Sequence, residues 1–68
     1  MTISQNIKKY RKYNRMTQKE LASKSGYSIS YIKKIESLSN RNISIEALFY
    51  ISKALEKDIL HLLYKTDI

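Results

Sequence analysis

The amino-acid sequence contains no cysteine, no proline and no tryptophan, and its 68 residues include a single glycine. Without cysteine, neither a disulfide framework nor a thiolate metal site is available, so stability must come from helix packing, which oligomerisation can supplement. Because disulfides are rare in the cytoplasm, a chain that needs none fits that compartment, and we expect a cytoplasmic location. The apolar stretches fall far below the roughly 20 residues of a membrane-spanning helix, so we expect neither a membrane segment nor a targeting signal.

The length of the chain predicts one small domain covering residues 1–68. At this size only about 60% of the surface of the unfolded chain can be buried, which leaves little room for an enclosed catalytic pocket. The six carboxylates show no clustered acid–base pair, and His61 has no companion ligand at helical spacing. We therefore predict no enzymatic activity, no metal site and no cofactor, and the sequence indicates no small-molecule ligand.

Acidic residues are scarce, because six Asp and Glu face thirteen Lys and Arg, for a net charge of +7. Residues 1–41 hold ten basic and two acidic side chains, a net charge of +8, whereas residues 42–68 hold three basic and four acidic ones, a net charge of −1. This asymmetry suits the N-terminal part of the chain to a polyanionic partner, most simply nucleic acid, through the release of counterions.

Helical periodicity and polar capping residues predict five helices and no strand. Each helical pattern is preceded by a hydroxyl or carboxylate that can accept a hydrogen bond from the first turn. These capping residues are Thr2, Thr17, Ser28, Ser44 and Asp58. The predicted helices span residues 3–14, 18–25, 29–37, 45–55 and 59–64, which makes the fold class all-α.

The only glycine, Gly26, lies where the second helical pattern ends. Glycine enters the left-handed region without steric cost, and helices commonly end on a residue in that conformation. Ala22 presents only a methyl group on the inner side of the second helix, so the third helix can cross it closely at a steep angle. Helices 2 and 3 are therefore predicted to form a helix-turn-helix.

The third predicted helix separates into two faces at about 100° per residue. Ile32 and Ile35 lie on the inner face. The opposite, outward arc holds small hydroxyls and lysines, with Ile29 at its edge, and its members are Ser30, Lys33, Lys34 and Ser37. On the second helix of a helix-turn-helix, such an arc is where contacts to the major groove are made.

The C-terminal part of the chain carries more apolar side chains than one small domain can bury. The buried face of helix 4 is predicted to consist of Ile45, Leu48, Ile51, Ser52 and Leu55. The last helix is apolar on more than one side, which favours a symmetric dimer through the C-terminal helices. The predicted dimer interface consists of Phe49, Ile59, Leu60, Leu63 and Tyr64.

An ordered set of motifs resembles the phage-repressor and Cro-like helix-turn-helix family, also called XRE-type, over residues 3–63. The motifs are Thr17-Gln18-Lys19-Glu20-Leu21-Ala22, Gly26-Tyr27-Ser28, Tyr31-Ile32, Ile35-Glu36, Asn42-Ile43-Ser44-Ile45 and Ala54-Leu55. The resemblance implies a compact five-helix, lambda-repressor-like DNA-binding domain. It also implies a homodimer that regulates transcription by binding a pseudo-palindromic operator in double-stranded DNA, with helix 29–37 in the major groove.

The resemblance also implies roles for individual positions. Contacts to bases are expected from Ile29, Ser30, Lys33 and Lys34. Contacts to phosphates are expected from Gln18, Ser28, Tyr31, Ser37, Asn40, Arg41 and Asn42. Arg11 and Glu36 match a family ion pair that joins helix 1 to helix 3. The chain departs from the family pattern where Ser37-Leu38-Ser39 replaces a common glycine after helix 3 and where Glu56 replaces one after helix 4.

The sequence leaves several alternatives open. The chain also resembles controller proteins of restriction-modification systems, which act as both activators and repressors, and small repressors of biofilm formation and sporulation. Two alternative functions belong to other classes. One is a protein-interaction module of the antirepressor kind on the same fold, and the other is an RNA or membrane binder driven by charge. Lys33 and Lys34 suit either bases or phosphates, and Ser30 suits either a base contact or an ordinary solvated surface.

Overall fold

The computed structural model describes residues 3–37 and 43–64, and these ranges form five α-helices and no strand. The helices are α1 (Ile3–Tyr13), α2 (Gln18–Ser25), α3 (Ile29–Glu36), α4 (Ile45–Ala54) and α5 (Ile59–Leu63). This confirms the predicted all-α class and the predicted start of every helix. Within the described ranges, no helix is both long enough and apolar enough to cross a membrane.

Four of the five helices end one residue earlier than predicted, the exception being α2. The extra predicted residue lies just past the helix in each case, and its backbone N–H still donates a hydrogen bond to a helical carbonyl. These residues are Asn14, Ser37, Leu55 and Tyr64. Hydrophobic periodicity does not detect this difference, because it locates a helix end only to within one or two residues.

Hydroxyl side chains cap three of the helices as predicted. Thr17 and Glu20 form a reciprocal capping box, in which Glu20 N–H donates to Thr17 Oγ1 at 3.0 Å and Thr17 N–H donates to Glu20 Oε1 at 2.8 Å. The backbone hydrogen bond from Thr17 is the main reason why the pKa of Glu20 lies below its ordinary value. Ser28 and Ser44 each accept one capping hydrogen bond at the start of α3 and α4, from the N–H groups of Tyr31 and Ala47. Thr2, the predicted cap of α1, lies outside the described residues.

The predicted cap of α5 is wrong in one respect. Asp58 occupies the N-cap position with extended dihedral angles, but its side chain makes no capping hydrogen bond. The backbone N–H of His61, which a capping side chain would engage, instead donates to the main-chain oxygen of Asp58 at 2.9 Å. The tight first turn of this short helix therefore leaves the carboxylate without a capping role.

Three helices end on a residue in the left-handed conformation. Gly26 (φ 86°) follows α2, Arg15 (φ 58°) follows α1, and Glu56 (φ 57°) follows α4. In all three cases the next N–H donates to the carbonyl five residues earlier, which is the hydrogen bond that closes a Schellman motif. Two of these three termini are therefore built without glycine. Arg15 and Glu56 incur the steric energy that a Cβ atom adds in the left-handed conformation, which glycine avoids.

Every helix contributes to one hydrophobic core. Its fully buried members are Ile7 and Tyr10 from α1, Leu21 from α2, Ile32 and Ile35 from α3, Leu48 and Ile51 from α4, Leu55 after it, and Leu62 from α5. Helix α2 packs against both α3 and α4, and α1 packs against both α3 and α5. The core therefore fixes the orientation of α3 from its inner side.

The assignment of Ile45 to the buried face of α4 is wrong. Its side chain is 69% exposed, although Leu48 and Ile51 are buried as predicted. Ile45 is the first residue of the helix, and it lies about 120° around the helix from Ile51 but only about 40° from Phe49. It consequently extends the exposed side of α4.

Two asparagine side chains fasten the ends of α4 and α5 to α1. Asn6 Nδ2 donates to the main-chain oxygens of Leu62 at 2.8 Å and Tyr64 at 3.2 Å. Asn14 Nδ2 donates to the main-chain oxygen of Leu55 at 2.8 Å. These bonds satisfy carbonyl groups that the helix ends would otherwise leave without partners.

Replacing Glu56 by glycine should stabilise the protein. Glycine removes the steric energy of the left-handed backbone conformation, about 1 to 2 kcal/mol, which stabilises the folded state. It also makes the unfolded chain more flexible, which destabilises the folded state by about 0.4 to 1 kcal/mol. We expect a net gain of about 0.5 to 1 kcal/mol, which raises the Tm by roughly 3 to 6 °C in thermal unfolding followed by circular dichroism. Glu56→Ala removes the same carboxylate without gaining left-handed freedom, so an equal gain in that variant would contradict the explanation.

Candidate nucleic-acid interface

The turn between α2 and α3 is set by backbone hydrogen bonds around Gly26. The N–H groups of Gly26 and Tyr27 both donate to the carbonyl of Ala22, at 3.0 and 3.1 Å. Ser28 then leaves the turn with extended dihedral angles, and its Oγ accepts the N–H of Tyr31 at 3.1 Å. Because Ile32 is fully buried one turn later, the turn and the core together fix the direction of α3.

The outward face of α3 is exposed as the helical wheel predicts. Its lysines and hydroxyls, with Ile29 at the N-terminal edge, lie on one solvent-facing side opposite the buried isoleucines. The exposed residues of this face are Ile29, Ser30, Lys33, Lys34 and Ser37. Ammonium and hydroxyl groups can donate to the acceptor atoms of guanine and adenine in the major groove, and the Ile29 side chain can contact a thymine methyl group.

A buried polar network lies behind the C-terminal end of this face. Arg11 forms a bidentate pair with Glu36, with Nε 2.6 Å from Oε2 and Nη2 3.1 Å from Oε1. Gln18 Nε2 donates to the same Oε1 at 3.1 Å, and Arg11 Nη1 donates to the carbonyl of Met16 at 2.8 Å. The two charged side chains are at most one-tenth exposed. The network therefore joins α1, the α1–α2 loop, the start of α2 and the end of α3.

Gln18 combines this structural contact with the position expected of a phosphate contact. Its side chain is half-buried, and its hydrogen bond to Glu36 uses one of the two N–H groups of the amide. The second N–H group can still donate to a ligand. The resemblance implied a phosphate contact for Gln18, and the structure adds Glu36 as the group that its side chain holds.

Tyr31 is positioned by an aromatic contact that the sequence prediction missed. Its ring stacks on that of Tyr27, with centroids 4.8 Å apart and ring planes 29° apart. Desolvation is the main reason why the pKa of Tyr27 is raised, with Glu46 adding to it. The spacing of four between the two tyrosines was the available signal, although Ser28 interrupts the helix between them.

The remaining expected phosphate contacts are placed unevenly. Ser28 is exposed, and its hydroxyl accepts the capping bond yet can still donate its proton to a second acceptor. Ser37 is exposed and caps the end of α3. Asn40, Arg41 and Asn42 lie outside the described residues.

The expected dimer residues divide into two groups. Phe49, Leu60 and Tyr64 are exposed, with Leu60 at 55% and Tyr64 at 64%, whereas Ile59 and Leu63 are partly buried against the core. Ile45 joins the exposed group through its position beside Phe49 on α4. Sequence reasoning missed Ile45 because it assigned this side chain to the buried face of α4.

Removing the charge of Glu36 should destabilise the fold strongly. Glu36→Gln leaves the Arg11 guanidinium buried without a counter-charge, and breaking such a pair costs about 3 to 5 kcal/mol. That loss is a large part of the stability of about 3 to 10 kcal/mol expected for a domain of this size. Urea unfolding measures the loss directly.

The matched control is the double variant Arg11→Met, Glu36→Leu, which removes both charges together. It should recover most of the stability, because buried ion pairs can often be replaced by apolar groups with little loss. If Glu36→Gln unfolded at the same urea concentration as the unmodified protein, the network would have no such stabilising role.

Comparison with known proteins places this geometry in a family. Residues 7–62 match the helix-turn-helix family. The chain is 33% identical to the control protein C.SmaI of Serratia marcescens over 61 residues, which cover 90% of this chain and 71% of that protein.

Two solved structures share the fold. The restriction-modification controller protein C.AhdI from Aeromonas hydrophila superposes with a TM-score of 0.83 at 26% identity, covering 90% of this chain and 91% of that one. SinR, the master regulator for biofilm formation, superposes in its complex with DNA with a TM-score of 0.84 at 38% identity, covering 90% and 97%. The chain therefore belongs to the XRE-type helix-turn-helix family of DNA-binding transcriptional regulators.

Proposed function

We propose that the protein is a sequence-specific transcriptional regulator that binds a pseudo-palindromic operator as a homodimer, with α3 in the major groove. The observation that carries this proposal is the exposed arc of donors on α3, whose opposite side is buried. The arc is presented by the helix-turn-helix of a family that includes SinR, which has been solved in complex with DNA.

Within this function, some residues contact bases and others contact the DNA backbone. Ser30, Lys33 and Lys34 donate to base edges, and Ile29 packs on a thymine methyl group. Backbone contacts fix the register of the helix on the duplex and carry no sequence information themselves. We assign them to Gln18, Ser28, Tyr31 and Ser37, with Asn40, Arg41 and Asn42 as further candidates.

A homodimer is supported by the apolar side chains that α4 and α5 expose. Ile45 and Phe49 lie along one side of α4, and Leu60 and Tyr64 are four residues apart on the α5 side.

A second candidate is a restriction-modification controller that both activates and represses transcription. The similarity to C.SmaI and C.AhdI favours it. Both candidates bind operator DNA, and transcription in vitro separates them. With increasing protein, a controller should raise and then lower transcription from its target promoter, whereas a simple repressor should only lower it.

Selection from random duplexes followed by sequencing tests the proposed function. We expect an enriched inverted repeat whose half-sites lie about one helical turn apart. The control is the double variant Lys33→Ala, Lys34→Ala, which keeps the fold because both side chains are exposed and should enrich a different or weaker sequence. Recovery of no inverted repeat by the unmodified protein would contradict the proposal and would favour a protein-interaction module.

Charge placed on the apolar face of α5 should dissociate the dimer. Leu60→Glu combined with Tyr64→Glu changes two exposed side chains, so the domain should stay folded while sedimentation shows a monomer. Tyr13→Glu is the matched control, because Tyr13 is 59% exposed on α1, outside the proposed interface. A dimer that persisted in the double variant would place the interface elsewhere.

A further inference from the structure

Arg15 combines a costly backbone conformation with an exposed guanidinium. It is one of two non-glycine residues with positive φ in the described ranges, and its φ of 58° falls in the left-handed region. A long side chain gains nothing from this conformation, which glycine would adopt at lower cost. Within residues 3–37 and 43–64, no group accepts a hydrogen bond or an ion pair from its side chain.

Arg11, four residues earlier, shows what a structural arginine of this segment looks like. Its side chain is buried and donates to both oxygens of Glu36 and to the carbonyl of Met16. Arg15 makes no such contact and faces solvent. Among the residues that the structure describes, the packing of the α1–α2 loop therefore accounts for Arg11 and gives the Arg15 side chain no contact.

Arg15 lies three residues before Gln18, a proposed phosphate contact, on backbone that the network behind α3 holds in place. Met16 is bonded to Arg11 in both directions, through its N–H to the Arg11 carbonyl at 3.0 Å and through its own carbonyl to Arg11 Nη1 at 2.8 Å. Arg11 in turn binds Glu36 at the end of α3. Two residues after Arg15, Thr17 caps α2, and Gln18 follows as a proposed phosphate contact.

We propose that Arg15 is an additional phosphate-binding residue of the DNA interface, presented to the backbone beside Gln18 by its left-handed conformation. This inference rests on the proposed function. The guanidinium is a planar set of donors that matches the geometry of a phosphate and stays charged at every physiological pH. Because phosphates are common to all sequences, Arg15 contributes affinity and not base preference.

Glu56 provides a natural control within the same molecule. Its φ of 57° is nearly identical, and it also follows a helix that ends in a Schellman bond. Its carboxylate cannot bind a phosphate, and it belongs to the part of the chain whose net charge is −1. Glycine at either position therefore relieves the same conformational cost, but only at Arg15 does it remove a proposed DNA contact.

The experiment compares Arg15→Gly with Glu56→Gly in thermal unfolding and in titrations of an operator duplex and a random duplex over a series of salt concentrations. Both variants should melt a few degrees higher than the unmodified protein. Arg15→Gly alone should bind both duplexes several-fold more weakly. It should also reduce the slope of log affinity against log salt by about 0.9 for each protomer.

Two further variants separate a local contact from the general field of the protein. Arg15→Lys keeps the charge and should retain most of the affinity. Lys8→Gln removes one positive charge from a solvated position on α1, and it should change the affinity much less than Arg15→Gly does.

Each remaining outcome overturns the inference in an identifiable way. Unchanged affinity and salt slope in Arg15→Gly would show that Arg15 does not contact DNA, as would an equal loss in Lys8→Gln. A lower Tm in Arg15→Gly would show that the side chain supports the fold. If the unmodified protein bound no duplex, the proposed function itself would fail, and this inference with it.

Discussion

The bidentate pair between Arg11 and Glu36 is the interaction on which the functional surface depends. It lies behind α3, almost completely removed from water, and Gln18 shares one of the carboxylate oxygens. A buried ion pair contributes little net stability, because desolvation offsets most of the attraction, but it tolerates only one geometry. Its main effect is therefore to fix how α3 lies relative to α1 and α2, and so where the exposed lysines and serines of α3 are placed.

The helix termini are built with very few glycine or proline residues. The single glycine is used at the turn between α2 and α3, where the angle of α3 is decided. Elsewhere, side-chain caps and left-handed non-glycine residues do the same work at some energetic cost, as at Glu56. Since no proline contributes either, the N-termini of α2, α3 and α4 depend on hydrogen bonds accepted by Thr17, Ser28 and Ser44.

Most of the fold could be predicted from the sequence, because local rules determine it. Helical periodicity and capping residues located all five helices, and the turn at Gly26 needed only the properties of glycine. The errors arose where one local rule competed with another. Asp58 satisfied the capping pattern, yet the tight turn of α5 used the His61 N–H first. Ile45 fitted the apolar pattern but began its helix on the exposed side.

The contacts that the sequence did not predict join residues far apart in the chain. Asn6 fastens the end of α5 across 56 residues, and Asn14 fastens the end of α4 across 41. An asparagine on a helix face has no periodic signal that names its partner, because the partner is a backbone carbonyl present at every residue. Arg15 was missed for another reason. Its distinguishing feature is a positive φ angle, which no pattern of side chains in the sequence indicates.

The exposed arc on α3 contains few groups that discriminate between bases. Specificity would therefore also depend on the apolar face of α4 and α5, through which we propose that the dimer forms. Serine and isoleucine cannot form the bidentate pairs that each supply about 1 to 3 kcal/mol of base discrimination, and lysine is a flexible point charge. One domain with Ile29, Ser30, Lys33 and Lys34 would therefore discriminate weakly between sequences. Discrimination at two linked half-sites adds in free energy, so the proposed dimer would supply specificity as well as affinity.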